Sequence, residues 1–284
     1  MPIGVRIIGI IIAVLAAAYG LYAGMGNSIG NFDGEMQIFA LDVGQGDSFF
    51  IISPNGKTML IDSGESSNSK QIEQFIREKG VRQLDVVIGS HTHSDHVGSM
   101  PYLLDAFDVG KYVMSEAGLE TRIQKRINAV LEEKDIPCSY VWAGDVIDWD
   151  SDCKVTVLSP VPEFDEYSKT DWNEWSLIIR AEYANHSMIF TGDATVRSEQ
   201  AAMLNNEKYL FDADVLKVPH HGSTTSSSLG FLEAVSPEYA IISVGKGNSY
   251  GHPDYDTIQK LKQVNAEIYR TDELGTINIV FSAN

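Results

Sequence analysis

Between residues 91 and 96 the chain reads His91-Thr92-His93-Ser94-Asp95-His96, with four side chains there able to bind a metal. The stretch follows the apolar run Val86-Val87-Ile88-Gly89 and precedes Val97-Gly98-Ser99-Met100. A short apolar run of this kind reads as a buried strand. The four groups therefore sit on the loop that leaves the strand, and such a loop can turn them all into one hole. Imidazole and carboxylate together suit zinc and similar divalent metals. The fold must hold this loop at the end of a sheet.

The start of the chain has another character. Residues 3–23 are apolar except for Arg6. About twenty helical residues at roughly 1.5 Å each cross a bilayer core, so residues 1–24 are expected to form an apolar helix, either a retained membrane anchor or a cleaved signal peptide. Arg6 and the terminal amine favour keeping that end in the cytoplasm. The rest is then outside, at the cell membrane or secreted. Residues 25–34 read as a linker, and residues 35–284 as one folded domain, a length sufficient for a substantial core.

Within that domain, Met36 to Leu41, Phe49 to Ile52 and Thr58 to Ile61 read as strands, the last two joined through Pro54-Asn55-Gly56, a hairpin signal. Ser69 to Lys79 carries Ile72, Phe75 and Ile76 at helical spacing, and Leu119 to Lys134 is the clearest amphipathic helix. Pro160 to Trp175 is a long acidic and aromatic loop. A second hairpin turns through Asn185-His186, which predicts that His186 points away from any site. The remainder alternates helix and strand. Pattern alone gives an α/β or α+β fold. Cys138 and Cys153 offer no Cys-x-x-Cys site; they are either one disulfide or two buried thiols.

The stretch His91–His96 resembles the HxHxDH signature of the metallo-β-lactamase fold superfamily. Four further stretches narrow the resemblance: Leu41-Asp42-Val43-Gly44-Gln45-Gly46-Asp47-Ser48, Thr191-Gly192-Asp193-Ala194, Leu216-Lys217-Val218-Pro219-His220-His221-Gly222-Ser223 and Tyr250-Gly251-His252-Pro253. Together they are similar to the metallohydrolase domain of ComEC-type DNA-internalisation proteins, over about residues 36 to 283. The resemblance implies a four-layer αββα sandwich and two divalent metal ions, Zn or Mn. It implies His91 and His93 on the first metal, Asp95 and His96 on the second, and Asp193 between them. One of His220 and His221 completes the second metal's ligand set; the order of the strand favours His220, leaving His221 to face substrate or to support a ligand from behind. Where many superfamily members place another histidine for the first metal, this chain has Asp171-Trp172-Asn173-Glu174-Trp175-Ser176.

The chemistry so implied is hydrolysis of a phosphodiester by a metal-activated water. Asp95 or Asp193 orients the nucleophile, and His221 or His252 protonates the leaving oxygen. Asp42, Asp47 and Asp62 are candidates to orient the ligand histidines. A net charge of -18 argues against a broad basic surface that tracks phosphates. Bound cations reverse the field locally, so a nucleic acid would be handled at the site. The substrate implied is single-stranded DNA or another phosphodiester, with a membrane DNA-uptake channel as a partner. An alternative is a phosphorylcholine esterase-like surface enzyme, for which Tyr167, Trp172 and Trp175 would cage a quaternary ammonium. An alternative of another class is a non-catalytic adaptor of a surface or DNA-uptake complex.

Overall fold

The structure is a computed structural model that describes residues 5–7, 10–14, 34–162 and 170–283. Two sheets dominate it. In the first, the spatial order is Val5–Ile7, Ile10–Val14, Ile277–Ser282, Glu35–Ala40, Phe49–Ile52, Thr58–Ile61, Val86–Gly89, Tyr112–Met114 and Cys138–Tyr140. The second runs Cys153–Ser159, Ile178–Tyr183, His186–Phe190, Val215–Lys217, Tyr239–Ile242 and Glu267–Arg270. Each sheet begins with antiparallel hairpins and ends with parallel strands.

Three apolar layers explain the stacking. Alternate residues of a strand face opposite sides. Ile38, Ile51, Met59 and Ile88 of the first sheet meet Val157, Ile179, Met188 and Val215 of the second in one buried cluster. The rings of Phe49 and Phe190 close this layer edge to face, 5.2 Å apart. The other face of the first sheet, with Phe50, Leu60 and Val87, is covered by the helices Ser69–Glu78, Met100–Ala106 and Arg122–Glu133. The other face of the second, with Ile189, Leu216 and Ala240, is covered by Val196–Asn205, Leu229–Val235 and Tyr255–Gln263. The order is helix, sheet, sheet, helix.

The helices sit where their periodicity puts them. Ile72 and Ile76 are the buried positions of Ser69–Glu78. Arg122–Glu133 starts later than its apolar pattern does, because Thr121 caps it, its hydroxyl accepting from the Gln124 amide at 3.2 Å.

The N-terminal apolar segment differs from expectation. Where it is described, at Val5–Ile7 and Ile10–Val14, it is strand and not helix. Ile10–Val14 pairs antiparallel with Ile277–Phe281. Hydropathy does not distinguish an apolar helix from an apolar strand. A run of isoleucines favours the strand when a sheet edge offers unpaired backbone groups. The rest of the expected helix lies outside the described residues. Among the described residues no helix is long and apolar enough to cross a membrane. Residues 163–169 of the long acidic loop, Tyr167 among them, also lie outside the described residues. Both cysteines are free thiols, Cys138 exposed and Cys153 half-buried.

Candidate metal centre

The parallel strands end together, and their carboxyl ends carry the site, as open α/β sheets commonly do. Thr58–Ile61 delivers Asp62, and Val86–Gly89 delivers His91 and His93. Ser94–Val97, a short helix in place of the expected loop, delivers Asp95 and His96. From the second sheet, His186–Phe190 leads to Asp193 and Val215–Lys217 leads to His220 and His221. Glycine lets these loops close on one another. A Cβ at Gly192 (φ +49) would lie 2.7 Å from Ser90 Oγ, and one at Gly46 (φ +132) would lie 2.2 Å from the carbonyl oxygen of Asp95.

Asp193 stands at the middle, buried, its two oxygens facing different neighbours. Oδ1 lies 3.0 Å from His96 Nε2 and 3.5 Å from His221 Nε2. Asp95 Oδ2 completes that group, 3.4 Å from His221 Nε2 and 3.9 Å from His96 Nε2. Oδ2 of Asp193 lies 3.9 Å from His91 Nε2 and 3.5 Å from His220 Nε2. His93 Nδ1 is 3.0 Å from His91 Nε2. The backbone holds Asp193 from both sides: its amide donates to Ser176 Oγ, and the carbonyl before it, on Gly192, accepts from the His220 amide and the Lys217 ammonium.

A second row of groups sets the histidine tautomers. His96 Nδ1 is 2.8 Å from Asp62 Oδ2. A carboxylate only accepts, so Nδ1 carries the hydrogen and Nε2 points inward. His221 Nδ1 donates in the same way to the carbonyl of Ser243 at 2.8 Å. Asp47 sits between them, with Oδ1 3.5 Å from His221 Nδ1 and Oδ2 3.6 Å from His96 Nδ1. Lys217, fully buried, places its ammonium 2.5 Å from Asp47 Oδ2. Asp42, by contrast, caps its own loop, its Oδ1 accepting from the Gly44 amide at 3.1 Å.

Electrostatics and unpaired atoms test whether cations fit. Burial works to raise the pKa of Asp193, but His96 and His221 beside it outweigh that and hold the carboxyl well below its usual range. For His96 burial works downward, yet Asp193, Asp62, Asp95 and Asp47 draw it well above its usual value. Around Asp193 Oδ1 the pocket therefore favours positive charge, whereas burial, with His96 beside it, holds His91 well below its usual value. His96 Nε2, His221 Nε2 and Asp193 Oδ1 are buried without a hydrogen-bond partner. Unpaired buried groups are costly, and these three face one another around a point that a cation would satisfy. Asp95, His96, Asp193 and His221 form one group able to hold an ion, and His91, His93 and Asp193 another.

The two adjacent histidines exchange their expected places. His221, not His220, stands with Asp95, His96 and Asp193. Both residues adopt the left-handed conformation (φ 51 and 53), so the chain reverses immediately after the strand and drives the second side chain inward. His220 faces the cleft, its Nδ1 2.9 Å from Thr225 Oγ1. His252 lies at the rim, its ring 5.9 Å from that of His220 and stacked on exposed Tyr250. His186 opens a strand, stacks on Phe281, and is remote from the centre. The cleft, of about 250 Å³, is also lined by Gln45, Ser94 and Asn173, to which sequence reasoning gave no role. Trp172 packs against His93, while Trp175 packs against Trp142.

Residues 41–246 match the family described as the metallo-beta-lactamase superfamily. Among characterised sequences, the chain is 34% identical over 260 residues to ComE operon protein 3 of Bacillus subtilis, covering 86% of this chain and 33% of that protein. It is 29% identical over 246 residues to competence protein ComA of Neisseria gonorrhoeae, covering 86% of this chain and 32% of the relative. The chain thus spans about a third of the length of these relatives. Among solved structures, the metallo-beta-lactamase fold protein YhfI from Bacillus subtilis aligns with a TM-score of 0.57 at 14% identity, over 86% of this chain and 98% of that one. This last likeness is one of fold.

Proposed function

The chain belongs to the metallo-beta-lactamase superfamily as a metallohydrolase, and from that premise we propose that it cuts phosphodiesters, with single-stranded DNA as the polymer it takes. The observation that carries the reading is the arrangement of two donor sets around the two oxygens of Asp193, opening into a polar cleft. Asp95, His96, Asp193 and His221 would hold one divalent ion, zinc or manganese, and His91, His93 and Asp193 the other. Bound cations supply a water of lowered pKa and offset the charge of the anionic diester.

The chain's own groups do the rest. Asp95, a quarter exposed where the other carboxylates of the centre are buried, orients the attacking water from the cleft side. Asp62 and the Ser243 carbonyl keep His96 and His221 in the tautomer that presents Nε2. Gln45, Ser94 and Asn173 offer uncharged donors to the phosphate oxygens. His252 stands at the rim, where the leaving oxygen departs. The similarity to two competence proteins supports DNA as substrate and a membrane DNA-uptake channel as partner, with the domain acting on the outer side of the membrane, tethered or secreted.

The esterase alternative draws less support. A cage for a quaternary ammonium uses several rings, and among the described residues only Trp172 reaches the ligand histidines. An adaptor has no use for three unpaired buried donors that converge.

The test is an assay of the full chain loaded in turn with zinc and manganese. Single-stranded DNA, bis-p-nitrophenyl phosphate and p-nitrophenyl phosphorylcholine are the substrates, with Asp95→Ala as control. Metal-dependent cutting of DNA and of the diester, lost in the control, is expected. Turnover of the choline ester alone would replace this reading with the esterase, and stoichiometric metal with no turnover would point to another substrate.

A further inference from the structure

The first donor set is one residue short. His91, His93 and Asp193 give three protein groups, and the segment Asp171–Ser176, where a further histidine was sought, holds none. The second set has four. We infer that His220 supplies the missing donor, so that two consecutive histidines serve two different cations. The inference rests on the reading of the site as a two-cation centre and adds to it the composition of the weaker half.

The geometry of Asp193 carries the argument. Four donors arranged tetrahedrally at about 2.1 Å from a cation lie about 3.4 Å from one another. On the Oδ1 side the separations from His96, His221 and Asp95 run from 3.0 to 3.9 Å. On the Oδ2 side, His220 Nε2 at 3.5 Å and His91 Nε2 at 3.9 Å fall in the same range, as does the 3.0 Å between His91 and His93. The two sides of one carboxylate are therefore equipped alike.

The backbone shows how neighbours can divide. Side chains of adjacent residues diverge, and here the rings of His220 and His221 lie 6.2 Å apart with planes at 69°. Each is held by its own Nδ1 partner, Thr225 Oγ1 for His220 and the Ser243 carbonyl for His221. That leaves each Nε2 for Asp193. A ligand histidine is commonly fixed in this way through its other nitrogen. His220, 22% exposed, and half-buried His93 open the first site to the cleft.

The experiment is equilibrium dialysis of the full chain against cobalt(II), with bound metal counted by mass spectrometry and cobalt absorption recorded at each equivalent. Asparagine tolerates the left-handed backbone, so His220→Asn and His221→Asn keep the loop. The native chain is expected to bind two equivalents. His220→Asn should retain only the tighter equivalent, with its cobalt spectrum unchanged. His221→Asn should weaken that one instead. Thr225→Val, which touches only the outer partner, should weaken the first site about 10–100-fold. A His220→Asn chain that keeps two equivalents at native affinity would overturn the inference, whatever its effect on turnover. A native chain that binds no cobalt would instead remove the two-cation reading on which the inference stands.

Discussion

Lys217 and Asp47 form a buried ion pair across the seam between the two sheets, nitrogen to oxygen 2.5 Å, with each side chain at most 2% exposed. Asp47 lies on the loop that follows Glu35–Ala40, and Lys217 ends Val215–Lys217. The pair ties the two halves together directly behind His96 and His221. Lys217→Met leaves the buried Asp47 charge without its lysine and with only the longer contacts to His96 and His221; losing one partner of a buried pair costs about 3–5 kcal/mol in comparable cases. Adding Asp47→Leu removes the second charge and should recover much of that loss. Urea unfolding of the two variants checks the order; a double variant no more stable than the single one would refute the pairing.

Asp62 tests how far the outer carboxylates govern metal affinity. Its carboxylate accepts from His96 Nδ1 and from the amide and hydroxyl of Ser90. Its own φ is 58, a conformation asparagine accepts readily. Asp62→Asn is therefore expected to fold, while metal affinity at the His96 site drops about 10–100-fold. Competition with a chromogenic chelator measures the drop.

A pH dependence follows from Asp85. Burial works to raise its pKa, but Lys57, together with the amide and hydroxyl of Thr58, outweighs burial and holds the carboxyl below its ordinary value of 3.8. A carboxyl that is more acidic in the folded state stabilises the fold when ionised. Its contribution is complete above about pH 4 and is lost as the pH falls through the folded value. Asp85→Asn should thus cost about 1 kcal/mol at neutral pH, allowing for the exposure of Lys57. The gap from the native chain should close on acidification. Denaturant midpoints at pH 7 and pH 3 give the comparison.

Chelation should lower thermal stability. One donor group comes from the first sheet's loops (His91, His93, Asp95, His96) and the other from the second's (Asp193, His221), so any ion at the centre binds only the assembled fold. Free metal at 100 times its Kd would add about 2.7 kcal/mol. Melting with and without EDTA should show a drop of several degrees, absent in an Asp193→Asn chain that binds no metal.

Several of these groups were readable before any fold was known, and for physical reasons. His91, His93, Asp95 and His96 are local: their spacing after an apolar strand is itself the site's geometry. Ile72 and Ile76 likewise follow from period alone. The division of labour between His220 and His221 is not local, because it depends on two successive left-handed residues that no hydrophobic pattern marks. The burial of Lys217 is also hidden, since a lysine at a strand end is ordinarily solvated and its partners here, Asp47, 170 positions away, and the Gly192 carbonyl, are brought to it by the fold. At the N-terminus, hydropathy registered that Ile10–Val14 is apolar but not that a sheet edge lay waiting for it.

The left-handed pair at His220 and His221 also decides where the chain can change length. A single residue inserted between Val218 and His220 would carry His220 into the place of His221, and His221 into that of Gly222 (φ +87), where a Cβ would lie 2.6 Å from Pro253. The exposed hairpin tip at Ala184 and Asn185, at the other end of the strand that leads to Asp193, carries none of these side chains. Variation in loop length should accumulate at the second position and be absent at the first, even where the amino acids themselves are free to differ.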